Sequence, residues 1–189
     1  MNKMLEIVWH GRGGQGAKTA ATMLAAMAIH EGKFSQGAPE YGPERQGAPM
    51  KGYTRISATP IRIHSGIAEG DVAVVLDATL LKSVDILGQL KKGGTVIVNT
   101  TRTSEEIRKD LKAPADVKVF VVDATGIAIA EMGKNFPNTP LLGSLVKISG
   151  ILKIETVMDD IKAKLGKKLS QQMLDGNFRA VKRGYDEVK

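Results

Sequence analysis

The stretch "WHGRGGQGAKTA", residues 9–20, follows the apolar run "MLEIV" and packs four glycines and two cations ahead of an alanine-rich segment. Gly11, Gly13 and Gly16 stand in the spacing G-x-G-x-x-G between a strand-like run and a helix-like run, the context a phosphate-cradling turn demands. Glycines let the backbone turn tightly and approach an anion, while free N–H groups and the helix dipole at the start of the following helix attract it. Arg12 and Lys18 add charge. The candidate ligand-contacting residues are therefore Gly11, Arg12, Gly13, Gly14, Gln15, Gly16, Lys18 and Thr19.

Neither of the two well-defined nucleotide loops fits. A dinucleotide fold needs an acidic residue about 20 positions further on, at the end of a second strand, and here that position falls in a Gly/Pro-rich segment. The nucleoside-triphosphate loop needs its lysine directly after the last glycine, and Ala17 intervenes before Lys18. The glycines could instead permit a tight turn and close helix–strand packing alone. That reading gives no reason for Arg12, Gln15, Lys18 and Thr19.

Outward from the loop, strand-like and helical patterns alternate, which predicts an α/β fold, a three-layer sandwich around a mostly parallel sheet. "MLEIVWH" is the first strand. Ala20, Leu24, Met27 and Ala28 share one stripe at helical spacing, and Gly32 stops the helix. The valine-rich runs "VAVVL" (72–76), "TVIVN" (95–99) and "VKVFVV" (117–122) read as buried strands. Between them "TLLKSVDILGQL" and "TSEEIRKDL" read as helices, the second with Thr103 and Glu106 at capping-box spacing. "DAT" occurs at 77–79 and again at 123–125, each time directly after a strand, where Asp and Thr serve as helix caps.

Residues 33–50, "KFSQGAPEYGPERQGAPM", hold three glycines and three prolines and read as a long structured loop rather than a strand or helix. Its prolines limit its freedom and so lower the entropy lost on docking. It presents Glu40, Tyr41, Glu44 and Arg45, which we take as candidate interface residues. "YTRIS" and "IRIH", joined through "ATP" at 58–60, read as a β-hairpin and make the sheet mixed. From Leu141 to the end the pattern is helical and increasingly basic, with no second domain needed over residues 1–189.

Composition narrows the chemistry. The 189 residues are 42% hydrophobic and 25% charged, as in an ordinary globular domain, and no apolar run reaches the length of a bilayer span. The N-terminus lacks the features of an export signal, so a cytoplasmic protein is expected. With no cysteine, the chain cannot hold iron–sulfur clusters or perform thiol catalysis. His10, His30 and His64 lack metal-ligand spacing and read as surface or capping residues, so no metal site and no catalytic residue is expected. The net charge of +7 favours an acidic ligand or partner, although solvated lysines give the same balance. Eight aromatic residues (one Trp, three Tyr, four Phe) and no recognition motif argue against nucleic-acid binding.

Together, "WHGRGGQGAKTAA" and "QGAPEYGPERQGAP" resemble the γ subunit of pyruvate:ferredoxin oxidoreductase and its 2-oxoacid relatives. The likeness continues through "GYTRIS", "VVLDATLL", "NTPLLGSLVKISG" and "NFRAVKRGY", over most of the chain. The resemblance implies a subunit of an enzyme that decarboxylates a 2-oxoacid on thiamine diphosphate with magnesium. Electrons then pass through [4Fe–4S] clusters to ferredoxin, and acyl-CoA forms. Those cofactors would sit on the partner α, β and δ subunits. The γ-type chain would serve coenzyme A (CoA) binding and subunit contacts, with CoA as a substrate rather than a resident cofactor. Pyruvate is the first expectation for the acid, with 2-ketoisovalerate or 2-oxoglutarate as alternatives. A purely structural assembly subunit with no small-molecule site is the other reading, and the motif does not say which residues touch CoA.

Overall fold

The computed structural model describes residues 4–40, 47–166 and 169–189. The first strand, β1 (Leu5–Arg12), runs into the glycine turn and then into α1 (Ala17–His30). Because successive strand side chains point to opposite faces, Ile7 and Trp9 enter the core beneath α1 while Val8 and His10 face the other way. Trp9 Nε1 donates to Thr54 Oγ1 (3.1 Å), which donates in turn to the Ala21 carbonyl (2.9 Å), so one buried relay joins β1, the third strand and α1.

Next come β2 (Phe34–Pro39), β3 (Pro49–Ser57), β4 (Gly70–Val75), β5 (Leu90–Asn99) and β6 (Lys118–Val122), with sheet order β2-β3-β1-β4-β5-β6. β1, β4, β5 and β6 are parallel, and β3 is antiparallel to both β1 and β2. The sheet is mixed, as expected, but the hairpin has a different partner. "YTRIS" lies in β3, residues 61–64 form no strand, and the other arm is β2, registered Phe34↔Ser57 through Pro39↔Gly52. So the segment read as a loop over 33–50 contributes a full strand and the start of another.

The cause is the approach of α1. A Cβ at Gly37 would lie 2.8 Å from the Ala21 carbonyl oxygen, and one at Gly52 would lie 3.0 Å from that of Ala17. The helix backbone rests directly on the hairpin, and only glycine leaves room. Pro39 and Pro49 fall at strand ends, where proline is tolerated.

The segment "TLLKSVDILGQL" is not an α-helix. It forms two short 3₁₀ turns, Ala78–Lys82 and Leu87–Gln89. Asp77 caps the first by accepting from Thr79 N, and Asp85 accepts from Gly88 N (2.9 Å), so aspartate side chains hold local turns in place of a continuous helix. α2 (Ser104–Leu111) does form and carries the expected capping box between Thr103 and Glu106. These turns and α2 cover one face of the sheet, over Ala73, Val75, Val96, Val98, Val119 and Val121.

The other face is covered by α1 together with α3 (Ala124–Met132), α4 (Asn138–Ser149), α5 (Ile154–Leu165) and α6 (Gln171–Glu187). α4 and α6 pack backbone to backbone. A Cβ at Gly143 would lie 2.0 Å from the Val181 carbonyl oxygen and one at Gly184 2.0 Å from that of Pro140, while buried Ser144 Oγ donates to the Gly184 carbonyl (2.7 Å). The last residue, Lys189, exchanges two backbone hydrogen bonds with Val121 (2.7 and 3.1 Å) and so covers the outer edge of β6.

Candidate functional site

Parallel strands bring their carboxyl ends to one side of the sheet, the usual place for a ligand in open α/β folds. β1 ends there at Arg12, and β4 ends there just before Asp77. The glycine turn is closed by reciprocal bonds across residues 12–15: Arg12 N donates to Gln15 Oε1 (2.8 Å) and Gln15 N to the Arg12 carbonyl (3.1 Å). Gly13 N donates to the Ala48 carbonyl (3.0 Å), which fastens the turn to the start of β3.

Two side chains of the loop turn inward. Arg12 donates from Nε to Asp77 Oδ2 (3.1 Å), from Nη1 to the Gly47 carbonyl (3.1 Å) and from Nη2 to Thr79 Oγ1 (2.8 Å). Gln15 Nε2 donates to the same Asp77 oxygen (2.9 Å). Asp77 is thus both the expected cap and the anchor of the glycine loop. Partial burial raises its pKa, but hydrogen bonds from Thr79 and Gln15 and the Arg12 charge outweigh that and hold the carboxyl below its ordinary value.

Of the remaining loop residues Gly11 is buried and Gly13 is engaged through its N–H, whereas Gly14 is exposed and Gly16 half-buried. Gly14 and Gly16 have φ of 95° and 87°, left-handed values that favour glycine. Gly16 is the N-cap of α1, has no side-chain cap, and no acidic residue stands in the first turn. Lys18 and Thr19 are exposed in that turn. A fixed, uncapped helix start with a lysine beside it can hold a phosphate or carboxylate.

Of the candidate interface residues, Glu40 is exposed at the tip of the β2–β3 hairpin, accepts from Tyr53 Oη (2.7 Å) and faces Lys51 Nζ at 3.6 Å. Tyr41, Glu44 and Arg45 lie outside the described residues. The histidine reading needs correction at His10, which is 1% exposed with Nε2 unpartnered. Burial, then the Lys51 charge, push its pKa down to about 4, with Glu40 acting in the opposite sense. His30 instead contacts the buried Asp160 carboxylate (3.1 Å), tying α1 to α5.

Among the described residues no cluster of three or more His, Cys, Asp or Glu could hold a metal ion, and no helix is long and apolar enough to cross a membrane. A cleft of ≈ 340 Å³ opens at the opposite ends of the strands, beside Lys92, Gly93 and Gly94, away from the glycine loop. Sequence reasoning missed Asn138, whose amide packs on Gly16 from the start of α4. The contact joins residues far apart in the chain, so no local pattern in the sequence signals it.

The family model for pyruvate ferredoxin/flavodoxin oxidoreductase matches residues 6–187. The chain belongs to this family. This γ-type member is 47% identical over 187 residues, 99% of its own length and 96% of the relative's, to pyruvate synthase subunit PorC of Thermotoga maritima. It is 45% identical over 185 residues, 98% of this chain and 97% of the other, to the pyruvate/ketoisovalerate oxidoreductases common subunit gamma of Thermococcus kodakarensis. The crystal structure of the Thermotoga maritima PORC subunit superposes with a TM-score of 0.87 at 43% identity, covering 99% of this chain and 98% of that one. A 2-oxoglutarate:ferredoxin oxidoreductase from Magnetococcus marinus, solved with 2-oxoglutarate, CoA and succinyl-CoA bound, shares the fold alone. Its TM-score is 0.79 at 20% identity, over 97% of this chain and 31% of that one.

Proposed function

We propose that the chain is the γ subunit of a pyruvate:ferredoxin oxidoreductase, which oxidatively decarboxylates pyruvate to acetyl-CoA and reduces ferredoxin, and that its glycine loop holds a phosphate of CoA. The observation that carries the CoA part is the α1 start: Gly16 in a left-handed conformation, no side-chain cap, no acid in the first turn, and Lys18 alongside. CoA brings a diphosphate and a 3′-phosphate, the kind of anion such a start stabilises. Arg12 and Gln15 act by holding the loop in shape, the N–H groups of Gly13 and Gln15 are spent on the turn itself, and Lys18, Thr19 and the N–H groups of Gly14 and Gly16 face the ligand.

Thiamine chemistry and electron transfer belong to partner subunits of α, β and δ type, because a chain without cysteine has no thiolate to ligate a cluster. The hairpin tip at Glu40 and the segment after it, with Tyr41, Glu44 and Arg45, serve as contact surface for those partners. The acid itself is chosen elsewhere in the complex, consistent with relatives named as subunits common to pyruvate and ketoisovalerate oxidoreductases. A packing-only role for the loop has one observation in its favour, the inward engagement of Arg12 and Gln15.

Purification of the assembled complex followed by assay against pyruvate, 2-ketoisovalerate and 2-oxoglutarate, with CoA and ferredoxin, tests the proposal. Turnover of pyruvate that depends on CoA supports it. A complex that turns over only 2-oxoglutarate, or that forms no acyl-CoA, contradicts it.

A further inference from the structure

The two edges of the sheet are finished differently. At β6 the outer edge is covered, since Val121 and Lys189 exchange backbone hydrogen bonds. β2 ends the other side, and among the described residues nothing pairs with its outer edge. Glu40 N donates to the Lys51 carbonyl (3.0 Å), and main-chain groups alternate sides along a strand. Phe34, Gln36 and Ala38 therefore bond to β3, while Ser35, Gly37 and Pro39 turn their groups outward. Proline falls in the outward set, where its missing N–H takes nothing from the ladder to β3. Exposed edges are ordinarily guarded by charges, bulges or short length. "FSQGAP" carries no charge, and its register with β3 runs unbroken from Phe34↔Ser57 to Pro39↔Gly52.

Apolar side chains stand open on both flanks of that edge. Ser35 Oγ donates to the Ala25 carbonyl, so the odd-numbered residues of β2 face α1 and the even-numbered ones face away. On the face away from α1, Phe34 is 45% exposed and Ala38 is exposed, with Gln36 half-buried between them. Gln36 Oε1 takes only a long bond from Arg55 Nη1 (3.5 Å). On the α1 face, a Cβ at Gly37 would lie 3.0 Å from Thr22 Cα, which puts Thr22 on the flank of the helix above β2. Ile29, two turns further along that flank, is 58% exposed.

We propose that β2 is a self-association edge, at which two copies of this chain join β2 to β2 in antiparallel fashion about a two-fold axis at Gln36, so that one sheet runs through both molecules. Ser35 and Gly37 of one copy exchange N–H···O bonds with Gly37 and Ser35 of the other. Phe34 packs on Ala38 of the second copy, a large side chain on a small one, and the two Gln36 amides, each with donors and an acceptor, meet on the axis. On the α1 face the absent side chain of Gly37 lets the two helices approach along their Thr22 and Ile29 flanks. Charge selects the occupant: the strand offers an acidic or basic partner nothing to pair with, and it offers a second copy nothing to repel. The apolar flanks of both copies add to the strand pair toward the roughly 1,000 Å² that a stable interface needs. Self-association at β2 does not depend on where CoA binds.

The chain has no cysteine of its own, so Gln36→Cys places a single thiol in it, on the axis. Residue 36 faces its twin in a non-hydrogen-bonded pair with Cα atoms about 4.5 Å apart, within the reach of a disulfide. In the assembled oxidoreductase, mild oxidation is expected to link most of this subunit to a second copy of itself. Adding Ala38→Lys, which sets a charge against Phe34 of the other copy, is expected to lower that yield about tenfold. Lys182→Cys, exposed on α6, is the control and is expected to give no link. An unlinked thiol at position 36 that stays open to maleimide means a bare edge, and one shielded until the subunits are separated means that another subunit covers β2. Either result overturns the proposal, as does an equal yield from Lys182→Cys. If Gln36→Cys fails to assemble, sedimentation velocity of the full chain decides. A parent that runs as a dimer and an Ala38→Lys variant that runs as a monomer support the proposal, and a monomeric parent overturns it.

Discussion

Asp77 does more than end a strand. Its carboxylate takes hydrogen bonds from Arg12, Gln15 and the Thr79 backbone and hydroxyl, and so decides where the glycine loop sits relative to β4. Asp77→Ala leaves a partly buried guanidinium without its anion, and we expect a loss of about 2 kcal/mol in chemical denaturation, with CoA affinity falling because the loop drifts. Because the folded-state pKa is depressed, this stabilisation is present above the ordinary carboxyl value of 3.8 and is lost as pH falls through the lower folded value. The cap was legible from "DAT" after a strand; the second role was not, because it depends on Arg12 and Gln15 arriving from 62 to 65 residues away.

His10 gives a pH test at the same scale. Its pKa is lowered from 6.5 to about 4 by burial. Between those values the unfolded chain binds a proton that the folded chain refuses. Stability is therefore complete above pH 6.5 and falls as pH drops toward 4, by about 3 kcal/mol in all. His10→Leu, of similar volume and without a hydrogen bond to lose at Nε2, should flatten that slope in denaturation midpoints measured from pH 7 to pH 4. An unchanged slope would place the acid sensitivity elsewhere.

At the scale of elements, β1, β4, β5 and β6 were readable because strands buried on both faces become runs of Val and Ile. β2 was not, since the glycine that admits α1 and the proline at its end carry the composition of a loop. The same physics governs α4 and α6: a helix pair this close leaves no space for a methyl group at Gly143 or Gly184. Gly184→Ala is expected to cost about 3 kcal/mol in thermal or chemical unfolding, because α6 must move off Pro140. Gly133→Ala, whose Cβ would meet nothing within 4 Å, should show only the penalty of its left-handed φ of 64°. Equal losses at the two positions would mean that α4 and α6 are not held at this distance.

At the scale of the whole molecule, the proposed role has the chain supply a fixed loop and contact surface to an enzyme whose redox parts sit on partner subunits. The purified chain alone should show no iron–sulfur absorbance and no turnover of pyruvate with CoA and a dye acceptor, while the assembled complex shows both. The glycine loop itself was legible in the first twenty residues. Its geometry was not, because whether Arg12 faces the ligand or the protein depends on Asp77 and Gly47, which only the folded sheet brings beside it.

The central claim is that the start of α1 holds an anionic part of CoA, and equilibrium binding of CoA to the assembled complex tests it most directly, comparing Lys18→Ala with Lys92→Ala. Lys92 is exposed at the opposite ends of the strands and serves as the control for lost positive charge. Loss of a charge-assisted contact at Lys18 predicts a Kd for CoA raised about tenfold to a hundredfold, with Lys92→Ala binding like the parent. Equal CoA affinity in the parent and both variants would contradict the claim and leave the glycine loop as a packing turn.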